Sequence, residues 1–448
     1  MTEHILDRLL RGTLPDPDGA GQLSVPTRAV ILSRSLAGRE AALIEELRLG
    51  RRLLVVSDPT TYDILGRRLV AVLAPHFHLA ECVLPAHPHA DEATVGQIEA
   101  RLDATSAEAV IAVGAGTIND LCKYAAHRQS LPYAVFATAP SMNGYTSVSA
   151  AITVDGHKKS LPATAAAGVF LDLEILCAAP PRLIQAGFGD SACRSTAQAD
   201  WLMAHLLLDQ PYRQAPFLLL REDEEALFAQ AGDLLKGDPA AMERLARTLI
   251  LSGFGMTICG GSYPASQGEH LISHYIEMIG DPALPAAFHG EQVAVTTLTM
   301  AHLQHSMLRA SMPPVLGSSR VTEEDLIDHF GAELGRHCWH NFSGKLLDPP
   351  RAAALNARLD RNWPAMTQRL RRVMRAPEEI MRALRAVGAP TDPAAIGLPA
   401  SFYHQAVVHA REIRDRFTFL DLAAESGQLE ALLMHAANTG SADAAPLH

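Results

Sequence analysis

Four residues of the chain have the types and spacing of a catalytic metal site: Asp190, His270, His274 and His289. One carboxylate and two imidazoles suit a divalent cation such as Zn²⁺, and three protein ligands leave coordination positions open for a substrate. His270 and His274 are one helical turn apart, so the fourth residue would lie beside the metal without having to bind it. The Gly-Phe-Gly-Asp step that ends at Asp190 predicts a turn. Twenty histidines in 448 residues could also produce this pattern by chance.

A glycine-containing loop after an apolar run is the second candidate site. Ala109–Val113 is typical of a buried strand, and Gly114–Asp120 follows it and opens a predicted helix. Glycines at such a turn let backbone N–H groups and the helix N-terminus approach a phosphate closely. The loop therefore predicts a dinucleotide site. Asn119 stands at the third glycine position of the usual fingerprint, so an ordinary tight turn is the alternative.

Asp58 follows another apolar run, Leu53–Ser57, and precedes a proline. Acids at strand ends often accept hydrogen bonds from an adenosine ribose. A turn or helix cap before Pro59 explains the same residue equally well, so both interpretations stay open.

The elements that must position these residues change character along the chain. From Arg28 onward, β-branched apolar runs alternate with helical patterns, which predicts β-α-β units and a largely parallel sheet. After Pro180 and Pro181, stretches rich in Ala, Leu, Met and Arg have helical periodicity. We therefore predict an α/β dinucleotide-binding domain followed by an all-helical domain.

The two prolines make a natural boundary, because neither can continue a preceding helix or central strand. The predicted division is an N-terminal extension at 1–27, an α/β domain at 28–179, a helical domain at 180–435 and a disordered tail at 436–448. We expect the metal to lie in the cleft between the two domains.

Composition narrows the class of protein. A formal charge of −11 argues against a nucleic-acid surface or an anionic membrane patch, so an anionic ligand must be held locally. The first twenty residues are too acidic for a signal or transit peptide, and no uncharged run has the length of a membrane span. Six scattered cysteines without a Cys-x-x-Cys pair suggest reduced thiols. We expect a cytoplasmic protein.

In order, these motifs resemble the iron-containing alcohol dehydrogenase and dehydroquinate synthase superfamily, and within it the sn-glycerol-1-phosphate dehydrogenases. The resemblance extends from about Ala29 to Leu303. The segments that carry it are Gly114-Ala-Gly-Thr-Ile-Asn-Asp120, Thr138-Ala-Pro-Ser-Met-Asn-Gly-Tyr-Thr-Ser147, Lys158-Lys-Ser-Leu-Pro-Ala163, Gly187-Phe-Gly-Asp190, Glu269-His-x-x-Ser-His274 and His289-Gly290.

The resemblance implies an NAD or NADP site in the first domain. It assigns the cofactor pyrophosphate to Gly114–Ile118 and the rest of the NAD(P) site to Thr138–Ser141 and Ser147, with Asp58 on the ribose side. The implied cofactor residues are Asp58, Gly114, Ala115, Gly116, Thr117, Ile118, Asp120, Thr138, Ser141 and Ser147.

The resemblance also implies one divalent metal (Zn, Ni or Fe) bound by Asp190, His270 and His289, with His274 and Asp190 in catalysis. The implied reaction is reversible oxidation of sn-glycerol 1-phosphate to dihydroxyacetone phosphate, within phospholipid metabolism. His274 could relay the hydroxyl proton to solvent. A small-molecule substrate and a homo-oligomer are expected.

Substrate contacts are expected from Asp190, His274 and Asn143, and the phosphate requires positive charge, for which Lys158, Lys159 and Arg194 are candidates. Surface salt bridges are the alternative for these three cations. Lys123 also lies in the stretch that contains the motifs and could hold an anionic ligand, and a solvated face is the alternative for it. Asn143 stands where the family usually has Asp, and Arg194 where Lys is common. Both departures bear on which polyol phosphate is preferred.

Three rival functions remain. The first is an NAD-using sugar-phosphate cyclase or lyase of the dehydroquinate synthase type, and the second is a polyol dehydrogenase with an unphosphorylated substrate. The third is a binding protein that has lost catalysis. The Ser141–Ser147 segment resembles the dehydrogenase branch, and the presence of all four metal-site residues argues against lost catalysis.

Overall fold

The computed structural model describes residues 4–154, 157–280 and 284–433, and of His157 and Lys158 only the backbone. The described chain forms two compact units. Unit 1 comprises residues 4–191, 213–262 and 386–388, and unit 2 comprises 192–212, 263–385 and 389–433.

Unit 1 is built on a six-stranded parallel sheet. The strands of unit 1 are β1 (Leu14–Pro15), β2 (Gln22–Leu23), β3 (Ala29–Ser33), β4 (Arg52–Ser57), β5 (His78–Val83), β6 (Ala109–Gly114), β7 (Tyr133–Ala137), β8 (Ser149–Val154), β9 (His157–Pro162) and β10 (Gly168–Asp172). The strand order in the six-stranded sheet is β3-β10-β7-β6-β4-β5. The central strands are buried on both faces, which explains their continuous apolar sequences.

Helices cover this sheet and extend unit 1. They are α1 (Ile5–Leu10), α2 (Glu40–Leu47), α3 (Pro59–Thr61), α4 (Arg67–Leu73), α5 (Glu92–Thr105), α6 (Gly116–Arg128), α7 (Leu173–Cys177), α8 (Pro181–Ala192), α10 (Ala215–Ala229) and α11 (Pro239–Cys259). A π-helical turn, Tyr62–Gly66, joins α3 to α4, and a short 3₁₀ helix spans Gly144–Thr146. Helix α11 packs against that 3₁₀ helix and against α7.

The carboxyl edge of the sheet positions both predicted cofactor segments. Gly114 at the end of β6 pairs with Ala137 at the end of β7, and the Thr138 N–H donates to the Gly114 carbonyl at 3.1 Å. Phe136 and Phe170 hold β7 and β10 together with ring centroids 4.7 Å apart. The loop after β6 and the segment after β7 therefore start side by side.

Unit 2 consists of helices in its described part. They are α9 (Arg194–Leu208), α12 (Gly268–Ile279), α13 (His289–Arg309), α14 (Glu323–Phe330), α15 (Ala332–Phe342), α16 (Pro349–Arg371), α17 (Pro377–Ala386), α18 (Ala400–His409) and α19 (Phe419–Glu425). Their apolar faces form one core, in which Ile272, Tyr275, Leu359 and Phe419 are fully buried.

The predicted fold class, an α/β part followed by a helical part, is confirmed, because β10 is the last strand among the described residues. The sequence patterns located β3, β4 and β6, whereas strands β5, β7 and β10 and the strand pairing β8–β9 were not predicted. The compact units divide the chain differently from the predicted domains, since residues 213–262 group with the sheet. The limits 1–27, 28–179 and 180–435 stay predictions, and the tail at 436–448 lies outside the described residues.

None of the described helices combines the length and the apolar character that crossing a membrane requires.

Candidate active site

The loop after β6 has the geometry of a phosphate-binding turn. A Cβ on Gly114 would lie 2.6 Å from the Cβ of Ile118, so only glycine allows the strand to end against the first turn of α6. Ala115 at the N-cap has no side chain that could accept from the first N–H groups of α6, and these lack partners within the helix. Gly116, Thr117 and Ile118 therefore form a helix N-terminus suited to an anion, as the sequence predicts. Their contacts with a cofactor stay predictions.

Asp120, a predicted cofactor residue, is held by its own unit. Its carboxylate accepts hydrogen bonds from the Asn119 side chain at 3.0 Å and from the Ala151 backbone N–H at 3.1 Å. Asp120 thus ties α6 to strand β8.

Lys123 is fully buried, so a solvated face is the wrong interpretation of this residue. Its ammonium donates to the carbonyls of Gly144 at 2.5 Å and Ser149 at 3.0 Å, and to the Ser147 hydroxyl at 3.1 Å. Burial lowers the pKa of Lys123, and the nearby Asp120 carboxylate opposes that shift. The predicted cofactor residue Ser147 is therefore part of an internal network.

The 138–147 segment, which contains Thr138 and Ser141, is clamped by two helices of unit 1. A Cβ on Gly187 of α8 would lie 1.6 Å from the Pro140 carbonyl oxygen, and a Cβ on Gly253 of α11 would lie 2.2 Å from the Thr146 hydroxyl. The Thr146 hydroxyl also donates to a carbonyl of α11 at 2.7 Å. These glycines permit close backbone contact that fixes the segment.

Asp190 lies in the last turn of α8, so the predicted turn at Gly187–Asp190 is wrong. The glycines there are needed for the contact with Pro140 and not for a chain reversal. The buried Asp190 carboxylate accepts the Asn143 backbone N–H at 2.8 Å. The Asn143 side chain lies 3.3 Å from the Ser252 hydroxyl. Asp190 and Asn143, two predicted substrate residues, are thus brought together within unit 1.

Asp58 caps the first turn of α3. Its side chain accepts the Thr61 N–H at 2.8 Å, and the Thr61 hydroxyl accepts the Asp58 N–H at 3.0 Å. The capping interpretation of Asp58 is confirmed, and its ribose contact stays a prediction.

Three histidines of unit 2 form the histidine cluster: His270, His274 and His289. His270 and His274 lie on α12, and His289 is the first residue of α13. Their ring centroids are 6.0 Å apart for His270 and His274, 5.1 Å for His270 and His289, and 5.7 Å for His274 and His289. The i, i+4 spacing on α12 and the packing of α13 beside it produce this arrangement.

Each imidazole of the histidine cluster has its Nδ1 next to a carboxylate. The Nδ1 of His270 lies 3.0 Å from Glu269, while those of His274 and His289 lie 3.3 and 3.2 Å from the two oxygens of Glu277. A neutral ring held in this way has its proton on Nδ1 and its lone pair on Nε2. The donor set fits a divalent metal, since carboxylate-oriented imidazoles are usual metal ligands.

His274 is neutral near pH 7. Burial lowers its pKa to about 3, the positive charge of Arg414 acts in the same direction, and the hydrogen bond to Glu277 opposes both. A neutral imidazole can accept a proton at Nε2, which suits the predicted proton relay.

The junction between α8 and α9 contains Cys193 and Arg194. The buried thiol of Cys193 has a sulfur within 4.8 Å of a ring nitrogen of His270, and it lies 3.6 Å from the Ala265 carbonyl. Arg194 donates to the Gln198 side chain at 2.6 Å and approaches the Val373 carbonyl at 3.4 Å. Arg194 therefore has protein partners, and its phosphate contact stays a prediction.

Lys159 lies on strand β9 with a half-buried side chain, and the side chain of Lys158 is outside the described part of the chain.

Sequence reasoning missed Lys123, Glu269 and Glu277 as site residues. Glu277 could have been found from the sequence, because it lies three residues after His274 on the same helix and residues at this spacing are neighbours on the helix surface.

Comparison with known proteins places the chain in a family. The model of the iron-containing alcohol dehydrogenase family matches residues 31–180. The glycerol-1-phosphate dehydrogenase [NAD(P)+] of Bacillus licheniformis is 28% identical over 390 residues, 86% of this chain and 85% of that protein. The protein of the same name from Pyrococcus furiosus is 32% identical over 280 residues, 62% of this chain and 78% of that protein.

Among solved structures, glycerol dehydrogenase from Schizosaccharomyces pombe superimposes with a TM-score of 0.61 at 15% identity, covering 92% of each chain. At this identity the similarity concerns the fold alone.

Proposed function

The chain belongs to the glycerol-1-phosphate dehydrogenases of the iron-containing alcohol dehydrogenase family, and from this membership we propose that it interconverts sn-glycerol 1-phosphate and dihydroxyacetone phosphate with NAD(P)(H). The enzyme is metal-dependent. The observation that supports this function most directly is the histidine cluster, in which all three Nδ1 atoms lie beside carboxylates, the arrangement usual for metal-binding imidazoles.

The proposed metal ligands are Asp190, His270 and His289. Cys193 follows Asp190 by three residues, and its sulfur lies near His270, which supports Asp190 as the carboxylate of the set. When bound, the divalent metal supplies a Lewis acid that stabilises alkoxide character on the reacting oxygen. Glu269 and Glu277 orient the imidazoles that hold it.

His274 is the proposed proton acceptor for the substrate hydroxyl. Its Nε2 accepts the hydroxyl proton, while its Nδ1 proton can move to the Glu277 oxygen 3.3 Å away. The imidazole therefore returns to a neutral form without holding a net charge in a buried setting. Dihydroxyacetone phosphate reduction uses the same path in reverse.

The proposed cofactor site is the loop from Gly114 to Ile118 with the 138–147 segment beside it. The free N–H groups at the start of α6 would hold the pyrophosphate, and NAD(P) supplies the hydride acceptor. Lys123 fixes the Gly144–Ser149 backbone that borders this site.

A spectrophotometric assay tests the function. Purified protein loaded with zinc, nickel or iron is supplied with dihydroxyacetone phosphate and NADH or NADPH, and net cofactor oxidation is followed. The expected result is stoichiometric oxidation with sn-glycerol 1-phosphate as the product, and none with Asp190→Asn. A cyclase would regenerate its cofactor and show no net oxidation. A large preference for dihydroxyacetone over its phosphate would replace this function by an unphosphorylated polyol dehydrogenase.

We also propose a homo-oligomer in the cytoplasm with no nucleic-acid partner. Light scattering coupled to gel filtration tests the oligomer, since a mass near 48.1 kDa would show a monomer.

A further inference from the structure

The thiol of Cys193 lies beside one imidazole of the histidine cluster. Cys193 and His270 are both buried, and the Cys193 sulfur is within 4.8 Å of a ring nitrogen of His270. All six cysteines lie in the described part of the chain, and there Cys193 alone has its sulfur in a group of three or more side chains able to bind a metal. Cys338, by contrast, packs within the apolar core of unit 2. The surroundings of Cys193 are therefore those of a metal ligand.

Cys193 is held in a fixed position relative to His270. The Thr196 hydroxyl lies 2.8 Å from the Cys193 carbonyl and 3.2 Å from a carboxylate oxygen of Glu269. The other oxygen of Glu269 lies 3.0 Å from Nδ1 of His270. The Cys193 sulfur also lies 3.6 Å from the Ala265 carbonyl, which comes just before α12 begins. A thiol is a weak donor, so giving up this last contact to a metal would cost little.

The backbone at Cys193 continues the helical turn that contains Asp190. Helix α8 ends at Ala192, and Cys193 follows it with a helical φ of −70° and ψ of −13°. Residues three apart on a helix occupy neighbouring positions on its surface. The chain therefore presents the Asp190 carboxylate and the Cys193 thiol from the same helical face.

The distance between Cys193 and His270 fits a shared metal ion. Tetrahedral zinc holds a thiolate at about 2.3 Å and an imidazole nitrogen at about 2.0 Å, which places the two donor atoms about 3.6 Å apart. The two atoms are already within 4.8 Å of each other. A small rotation of the Cys193 side chain is enough to close the remaining gap.

Charge balance favours the same arrangement. A divalent cation bound by one carboxylate and two neutral imidazoles keeps one positive charge. Burying an uncompensated charge costs free energy, and the exposed fractions of Cys193 and His270 are only 2% and 5%. A thiolate from Cys193 would remove the remaining charge and make the buried site neutral.

We propose that Cys193 is a fourth protein ligand of the metal, bound as a thiolate, and that it makes the site selective for zinc. Binding releases the thiol proton to solvent, because the thiolate is the form that binds a metal. Thiolate donors suit zinc, whereas cations such as Mg²⁺ and Mn²⁺ prefer oxygen donors. Catalytic zinc can take a fifth ligand, so four protein donors still leave room for a substrate. This inference rests on the proposed function and adds a metal ligand and a choice of metal to it.

Cobalt gives a spectroscopic test that does not need turnover. Wild-type protein loaded with one equivalent of Co²⁺ should show an intense near-ultraviolet charge-transfer band from thiolate to cobalt, in addition to the visible bands of the ion. This measurement needs no substitution and so does not depend on the folding of a variant. Bound cobalt with visible bands but without the charge-transfer band would overturn the proposal.

Substitutions identify the thiol that binds the cobalt. Cys193→Ser and Cys193→Ala should bind cobalt without the charge-transfer band. Cys177→Ser removes a half-buried thiol of α7 and is the control, which should keep the wild-type spectrum. A band that persists in Cys193→Ser would assign the thiolate to another cysteine and overturn the proposal.

Metal preference gives a second readout on the same proteins. The zinc affinity of Cys193→Ser should fall at least about tenfold, because even groups that only orient a ligand are worth about 10- to 100-fold. Its Mn²⁺ affinity should change by less than about threefold, because Mn²⁺ prefers oxygen donors. Dye competition measures zinc, and the electron paramagnetic resonance signal of free Mn²⁺ measures manganese. Equal zinc affinity in Cys193→Ser and the wild type would overturn the proposal.

The outcomes separate this inference from the proposed function. If the wild type reduces dihydroxyacetone phosphate with bound cobalt but lacks the charge-transfer band, the thiolate ligand fails while the function stands. If the band is present but dihydroxyacetone phosphate is not reduced, the function fails while the ligand stands. A wild type that binds neither cobalt nor zinc would overturn both.

Discussion

Two regions use polar side chains in opposite ways. In the predicted cofactor region of unit 1, charged groups are bound to one another and to the backbone: Asp58 caps α3, Asp120 binds a strand N–H, and Lys123 has three oxygen acceptors. Around α12 of unit 2, carboxylates lie beside the Nδ1 atom of each imidazole of the histidine cluster.

The polar side chains of unit 1 shape a binding surface, whereas the imidazoles of unit 2 are placed to take part in a reaction. The side chains of unit 1 that have hydrogen-bond partners hold the backbone in place. A pyrophosphate binds to backbone N–H groups at a helix N-terminus, so it requires such a fixed backbone. Imidazoles oriented through one nitrogen keep the other available for a metal or a proton. Changes around α6 should therefore act mainly on stability and cofactor KM, and changes around α12 on metal binding and turnover.

The largest expected effect is the loss of a metal ligand. His270→Ala should lose its metal on gel filtration and lower turnover by at least about 10³-fold, because Lewis-acid stabilisation is worth several kcal/mol. Chelation of the wild type should give the same loss, reversed by added metal. His337→Ala, an exposed histidine of α15, is the control. Full metal content and turnover in His270→Ala would break the contrast between the two regions.

Glu277→Gln tests the shared carboxylate. The glutamine keeps one acceptor oxygen for two imidazoles, so metal affinity should fall about 10- to 100-fold, measured by competition with a zinc-binding dye. Glu333→Gln, exposed on α15, should leave the affinity unchanged. If Glu277→Gln binds metal as tightly as the wild type, the carboxylate does not orient the cluster.

Gly187→Ala tests the prediction for unit 1 that close backbone contact fixes the 138–147 segment. Its Cβ would overlap the Pro140 carbonyl, so the unfolding free energy should fall by about 1–3 kcal/mol in urea titrations. Gly96→Ala on α5 is a matched control with the opposite sign, since nothing lies within 4 Å of its Cβ and alanine favours a helix by about 0.5–1 kcal/mol. Equal effects of the two alanines would show that the 138–147 segment is not clamped.

The smallest expected effect is a pH dependence at Lys123. Because burial lowers its pKa below the ordinary 10.5, the unfolded chain binds more protons than the folded one between the lowered value and 10.5. The stability of the wild type relative to Lys123→Met should therefore rise with pH in that window, by at most about 1.4 kcal/mol per pH unit. Denaturant titrations from neutral to alkaline pH measure it. A difference independent of pH would mean that Lys123 titrates normally.

The sequence predicted what local patterns determine. The apolar run before Gly114 located β6 and the start of α6, and the spacing of His270 and His274 placed both on one helical face. These features depend on periodicity and turn chemistry over a few residues.

Features that depend on distant packing were missed. Gly187 suggested a turn, but its lack of a side chain serves contact with Pro140, which no local pattern records. A solvated face stayed open as the alternative for Lys123 because its acceptors lie more than twenty residues away in the chain. Glu277 is shared by two histidines only because α13 packs beside α12.

Unit 1 is formed by segments that are far apart in the chain. This affects the order in which its parts are synthesised and the way in which the gene can be divided into fragments. The sheet is complete at residue 172, yet α11, which binds the Thr146 hydroxyl through the Ile250 carbonyl, emerges from the ribosome much later. A nascent chain stalled at residue 212 would contain all ten of the described strands and still lack this support. Fragments intended for separate expression or for domain grafting must therefore keep residues 213–262 with the sheet, whatever the composition near Pro180 suggests.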